Sequence, residues 1–427
     1  MSRPVKALHL IDPGSPGGGA CSLSLLAAVQ SRIGSIEHDV LILGTRRHVD
    51  LAKRCGVKPT GSLSAPLHVP GFGRRGLARF IHEREHGRGR YDFIHAWTPR
   101  AATLAMLAAP HHRRLATFSV GPLTGVHGHY FQMLIDQRPM PVLVSSTGVL
   151  REYRSMGIDR RLLSLLPPGV AVETEEVTPR EALRKRWGAS RSTFVIGVLS
   201  EPANWADAQR AVEIAARLHV SERNVKLLLH PSAIRRADAE RWLRSLGQGD
   251  IVVVEDDLAE PWRVARGLDA AMFIGGEMNS MDLRDSDSPW SLIFGGGRRL
   301  RPMPGIMPLL WAMAHGVPVI AEASDAVSDV VEEGVSGLLV GQGDINAACD
   351  RLIRMYDDRT IAGRIGAGGS ARVEKRFHIS AFCVRLRQAY DMLLAGRPVR
   401  VIPEDDDPIV EQAVADPRGV RQAAIVH

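Results

Sequence analysis

Residues 298–340 read RRLRPMPGIMPLLWAMAHGVPVIAEASDAVSDVVEEGVSGLLV, and the fold turns on this stretch. Leu309, Leu310, Met313 and Ala314 make a helical apolar face, and Pro308 suits the first turn of a helix. Gly316 stops that helix at the position where a left-handed residue is needed. Val317 to Ala321 is short and wholly apolar, which predicts a strand covered on both faces. Asp325 to Glu333 predicts a second helix, Gly334 and Gly337 punctuate, and Leu338 to Val340 begins another strand. This is one turn of a doubly wound α/β sheet, and the turn before its first helix is a natural ligand site.

The same alternation extends in both directions. Lys6 to Asp12, Asp39 to Leu43, Tyr91 to His95, Leu115 to Val120 and Pro141 to Ser145 read as strands of one sheet. Phe194 to Leu199, Val225 to His230, Ile251 to Val254 and Leu268 to Gly276 read as strands of a second. Helical segments separate them, which predicts parallel sheets with crossover helices. Glu173 to Pro179 is polar and suits a linker, while 398–427 has mixed charge and no apolar period, as in a mobile tail. With 427 residues the chain exceeds one ordinary core.

Composition narrows the function. No apolar run reaches the roughly 18–20 residues of a membrane span, and a strand-like segment starts almost at once, leaving no room for a signal peptide. Cys21, Cys55, Cys349 and Cys383 show no metal spacing and read as reduced cysteines of a cytoplasmic protein. The net charge of +7 is carried by arginine clusters such as Arg74-Arg75 and Arg298-Arg299-Arg301. These read either as solvated surface or as a pull on an anionic partner, and on the first domain they would suit a peripheral membrane enzyme. Aromatic residues are 5% of the chain and do not interleave with basic ones, so nucleic acid is not expected as a partner. No Ser-His-Asp order, zinc spacing or Walker pattern suggests other chemistry, and no metal is expected.

The sequences AMAHGVPVIA and SDVVEEGVSGLLV resemble the donor-binding half of the family 4 retaining glycosyltransferases (glycosyl transferases group 1), which have the GT-B fold of two Rossmann-like domains facing a cleft. Further likenesses are the strand end with Asp92, His95 and Ala96, the element with Ser145, Leu150 and Gly157, and Asp269 before a strand. The resemblance implies an acceptor-side domain over 1–172 and a donor domain over 178–376. A terminal helix over 377–397 would cross back to the first domain, followed by the tail 398–427. It also implies a Gly-containing turn whose amides meet the donor pyrophosphate, here Gly305, Ile306 and Met307, with Gly197 at the end of the domain's first strand. Gly17, Gly18 and Gly19 fall where the family has an acceptor-side loop; a glycine run there also suits a plain flexible turn.

Departures from the family are as specific as the likenesses. Its two glutamates, eight positions apart, align with Met303 and Trp311, and neither is acidic. The cations that reach the donor phosphates after the first strand of the second domain are absent. Arg298, Arg299 and Arg301 precede the donor turn and can replace them, since a guanidinium pairs well with phosphate oxygens. His95 and Glu277 are the candidates for a catalytic role, with Asp282 and Glu322 as other carboxylates near the turn. The expected activity is transfer from a nucleotide-sugar co-substrate to a glycan, lipid or small-molecule acceptor. The alternative is a GT-B protein that has lost catalysis and binds a sugar, nucleotide or protein.

Overall fold

The computed structural model describes residues 3–15, 17–64, 73–123, 125–171, 178–199, 205–230, 247, 250–274 and 305–401. The chain divides into two compact units. Unit 1 holds Met1–Gly169 and the C-terminal part from His378, and unit 2 holds Val170–Glu277 and Ile306–Phe377.

Unit 1 is built on β1 (Val5–Ile11), β2 (Ile36–Leu43), β3 (Gly61–Leu63), β4 (Phe93–Ala96), β5 (Arg113–Phe118), β6 (Val142–Val144) and β7 (Leu163–Leu165). They form a seven-stranded sheet in the order β3-β2-β1-β4-β5-β6-β7. The recorded strand pairings are parallel, with Leu8 opposite both Asp39 and Ile94. Central strands read as continuous apolar runs because helices cover both faces, and Leu8, Leu10 and Ile11 are fully buried. Each such side chain contributes roughly 1.5–3 kcal/mol of transfer free energy. The order reverses at β1, which sets a switch point between β1 and β4. The helix Pro99–Ala108 begins as its sequence predicts, the Thr98 side chain accepting from the Ala101 amide.

The helix Ile379–Leu394 belongs to unit 1, with Phe382, Leu386 and Tyr390 buried. The chain after it does not leave the surface at 398. Val399 is buried and its carbonyl accepts from Ser164 Oγ at 3.0 Å, so residues 398–401 are docked. Residues 402–427 of the expected tail lie outside the described residues.

Unit 2 is built on β8 (Phe194–Val198), β9 (Val225–Leu229), β10 (Val252–Val254), β11 (Ala270–Phe273), β12 (Val319–Glu322) and β13 (Leu338–Val340). The six strands take the order β10-β9-β8-β11-β12-β13, a doubly wound arrangement with its switch point between β8 and β11. Phe194, Ile196, Leu227, Ala270 and Met272 form the core with Leu218, Leu352 and Ile365 from the helices. Asp269 serves as a tie in this unit. One carboxylate oxygen accepts from the Val195 amide and Arg184, each at 2.8 Å, and the other from Arg180 at 2.6 Å.

Two expectations within the deciding stretch are corrected. The strand starts at Val319 rather than Val317, because Pro318 has no N–H to give and offers only its carbonyl, to the Ala271 amide. The helix over Asp325–Val330 stops three residues short of Glu333. There Ser336 Oγ accepts the Glu332 amide, and Glu333 pairs with Gly337 through an isolated bridge, so that segment is held as a turn.

Candidate functional site

After β1 the Ser15 amide donates to the Asp12 carbonyl at 3.2 Å and the Gly18 amide to the Ser15 carbonyl at 3.0 Å, ahead of the helix Ala20–Arg32. Glycine is required twice in this turn. Gly17 has φ +76°, and a Cβ on Gly18 would fall 1.8 Å from the Asp12 carbonyl oxygen. The turn is pinned to the next βα unit by hydroxyls, with Ser22 and Ser119 both donating to the Gly17 carbonyl, at 2.5 and 3.2 Å. No side chain caps the helix, whose N-cap is Gly19. The glycine run is therefore a closely fitted βα turn at the switch point rather than a slack connection.

Three ionisable residues from three βα units surround this turn. Asp12 Oδ1 accepts from the Gly14 amide at 3.0 Å. Its Oδ2 is buried with no hydrogen-bond partner, and the Arg100 guanidinium stands 3.7 Å away. Burial pushes the Asp12 carboxyl up from its ordinary range, opposed by Arg100, the Gly14 amide and His48. His48 Nδ1 accepts the Thr45 amide at 3.2 Å, which places the ring proton on Nε2. That edge faces the turn, since a Cβ on Gly14 would lie 3.3 Å from Nε2 and from Cε1. Asp12, His48 and Arg100 were missed in the sequence. The signal lay in Asp12, an acidic residue closing an apolar strand before a glycine run.

His95 lies on β4 as the sequence predicts, but it does not face an opening. It is fully buried, and its ring nitrogens lie 2.8 Å from the Tyr390 hydroxyl and 2.8 Å from Thr117 Oγ1. Burial draws its pKa down to about 3. Beside it, Trp97 Nε1 donates to His9 Nδ1 at 3.1 Å, so His9 Nε2 carries its proton to His38 Nδ1 at 2.8 Å. His38 Nε2 then donates to the Ile33 carbonyl at 3.0 Å. These histidines are neutral parts of the core.

In unit 2, Ile306 leads into the helix Met307–Ala314, whose N-terminus no side chain caps and which has Pro308 in its first turn. Gly305, the residue before it, is counted with unit 1. Trp311, where the resembling family has a glutamate, is 3% exposed and packs on Trp262 with ring centroids 5.1 Å apart. Its indole N–H has no hydrogen-bond partner. Gly197 sits inside β8, and its bare face is filled by Leu268, 2.7 Å from where a Cβ would stand. Glu322 is buried, accepts the Gly343 amide at 3.0 Å and pairs with Arg210, so it is committed to holding strand ends. Arg298, Arg299, Arg301, Glu277, Asp282 and Met303 lie outside the described residues.

Among the described residues no group of three or more His, Cys, Asp and Glu is placed to hold a metal ion. No described helix is long and apolar enough to cross a membrane.

Residues 303–358 match the family Glycosyl transferases group 1. The chain is 29% identical over 154 residues to the lipopolysaccharide core biosynthesis mannosyltransferase LpsB of Rhizobium meliloti (strain 1021), covering 34% of this chain and 40% of that protein. The chain therefore spans less than half the length of that relative. It is 26% identical over 326 residues to the phosphatidyl-myo-inositol mannosyltransferase of Mycobacterium leprae (strain TN), covering 73% of this chain and 77% of that one. Among solved structures, Anabaena Alr3699/HepE in complex with UDP and glucose superposes with a TM-score of 0.67 at 17% identity, over 91% of this chain and 99% of that chain. Sucrose-phosphate synthase of Thermosynechococcus elongatus gives 0.64 at 17% identity, over 92% and 100%. The two Rossmann-like parallel-sheet domains are those of the GT-B fold.

Proposed function

We propose that this protein is a nucleotide-sugar-dependent hexosyltransferase, moving a sugar from a nucleoside diphosphate to an acceptor hydroxyl. One observation carries the reading. The group 1 match over residues 303–358 falls on the uncapped helix Met307–Ala314 and the strands β12 and β13 of the doubly wound sheet. The amides at Gly305, Ile306 and Met307 would bear partial positive charge toward a donor diphosphate. Pro308 withholds one donor from that set. Arg298, Arg299 and Arg301 supply the remaining charge in this reading. Neutralising the departing diphosphate is the main electrostatic task of the transfer.

The finer assignments belong to the same reading. The chain is a divergent family 4-like enzyme with Met303 and Trp311 at the two glutamate positions, 1–172 on the acceptor side and 178–376 on the donor side. Gly17, Gly18 and Gly19 form the acceptor-side loop, Glu277 is the remaining carboxylate candidate, and the setting is cytoplasmic. Gly197 and His95 are given packing roles instead, on the geometry above. No metal or nucleic acid enters the scheme, and the arginine clusters of the first domain would favour contact with an anionic membrane surface. The Anabaena protein was solved with UDP and with UDP-glucose, so uridine nucleotides are the first donors to try.

Calorimetric titration with UDP, GDP and their sugar conjugates tests this, with Arg299→Ala beside the native protein. Saturable binding that weakens tenfold or more in the variant is expected. Folded protein that binds none of these nucleotides would sink the proposal. The second reading, a binding module without catalysis, draws support from Trp311, an indole that cannot accept a hydrogen bond where the family has a carboxylate. Nucleotide binding with no sugar released from any donor would favour it.

A further inference from the structure

We propose that His82 and His86 form a two-imidazole chelate for a divalent transition-metal ion such as Zn2+, on the exposed side of the helix Arg74–Arg88 in unit 1. The site is independent of the transferase reading. Residues 82–86 read HEREH, the H-E-x-x-H spacing in which two histidines four apart share one side of a helix. The expectation that the sequence holds no zinc spacing is corrected at this segment.

The helix fixes the pair. Leu77 and Ile81, one turn apart, are buried and set its inward face, whereas His82 and His86 stand outside. Gly89, at φ +82°, ends the helix with its amide on the Glu85 carbonyl at 2.9 Å, so His86 is held within the last turn. The two ring centroids are 6.0 Å apart and the rings are inclined by 31°. That separation matches four residues of helix at a rise of about 1.5 Å each. Among the described residues neither ring makes a hydrogen bond or an ion pair. With Zn–N bonds of about 2.0–2.1 Å, a small turn of two exposed side chains brings both rings onto one ion. Neighbouring cations are engaged elsewhere. Arg79 pairs with Glu83 at 2.7 Å, and Arg84 donates to the Thr60 carbonyl at 3.3 Å.

The ligand type selects the ion. Imidazole suits Zn2+, Cu2+ and Ni2+, whereas Mg2+ and Ca2+ take oxygen ligands. Hydrolytic zinc centres add a third protein ligand and use the glutamate after the first histidine as general base. Here that glutamate, Glu83, is held by Arg79, and Glu85 accepts the Tyr91 amide at 2.9 Å. Among the described residues no third His, Cys, Asp or Glu completes a group around the pair. The arrangement is a binding chelate whose remaining positions go to water, not a hydrolytic centre.

Calorimetric titration of the full chain with Zn2+ alone tests this, beside His82→Ala, His86→Ala and the double variant His86→Ala/Gly87→His. The double variant keeps the number of histidines but spaces the two five apart, and a Cβ on Gly87 meets nothing. All three positions are exposed, so melting temperatures without metal should match the native protein. Should His86→Ala not fold, His82→Ala carries the test. Zn2+ is expected to bind the native chain saturably and tenfold or more weakly in each variant, with Mg2+ unable to compete. An affinity unchanged within twofold in the single variants overturns the proposal. So does native affinity in the double variant, which would show that histidine number rather than spacing matters, or no zinc binding by the native protein.

Discussion

The Tyr390 hydroxyl lies 2.8 Å from His95 Nδ1, joining the terminal helix to strand β4 across 295 residues of sequence. The Tyr390 ring also packs on Phe93 with centroids 4.6 Å apart. The contact is buried on both sides, so Tyr390→Phe keeps the packing and strands a ring nitrogen. It should cost about 1–3 kcal/mol in urea unfolding, the penalty for one buried polar group left unpaired. A loss below about 0.5 kcal/mol would mean the hydroxyl is not engaged.

Buried neutral histidines make the fold acid-sensitive. His95 has its pKa lowered to about 3, and His9 and His38 are lowered as well, burial being the largest cause in each. The unfolded chain therefore binds more protons below the ordinary histidine value of about 6.5, and stability falls as pH drops through that point toward the folded pKa. Above it the contribution is fully present. At pH 5 the His95 term alone is about 2 kcal/mol. Melting temperatures at pH 7.5, 6 and 5 should fall steadily, and less steeply in His95→Gln. A flat profile in the native protein contradicts the burial of these rings.

Gly18 has no room for a side chain, because the Asp12 carbonyl lies 1.8 Å from the would-be Cβ. Gly18→Ala must displace the turn, at about 1–3 kcal/mol for overpacking. A melting temperature unchanged from the native protein would show that the turn is not tightly fitted.

Arg184 is 8% exposed and donates to Asp269 and to the carbonyls of Ser190, Thr193 and Gly267. Arg184→Ala leaves the Asp269 carboxylate short of its buried partner, with Arg180 still on the exposed side. Destabilisation of about 3–5 kcal/mol is expected by denaturant titration, as for a broken buried pair. Additivity of Arg184→Ala with Asp269→Asn would argue against the direct coupling seen between them.

Fold class was legible because the strands of both sheets are covered on two faces and so read as unbroken apolar runs, as Val319 to Ala321 does. The edge strands β3 and β7 were not, since three-residue strands such as Gly61–Leu63 carry no period and are made by pairing with a neighbour. The helix ending at Val330 was overextended because Glu332 and Glu333 favour helix locally, while Ser336 and Gly337 capture them only through the folded turn. His95 shows the limit for sites. Its strand-end position was readable, but the Tyr390 and Thr117 partners that bury it come from distant segments. Asp12, His48 and Arg100 are separated by dozens of residues, and only the sheet order brings them to one turn.

Glycosyl transfer would show itself as nucleotide release from a panel of UDP- and GDP-sugars incubated with the full chain. Slow release from one donor, reduced in Arg299→Ala, is the predicted result. Bound donor that stays intact across the whole panel would contradict it.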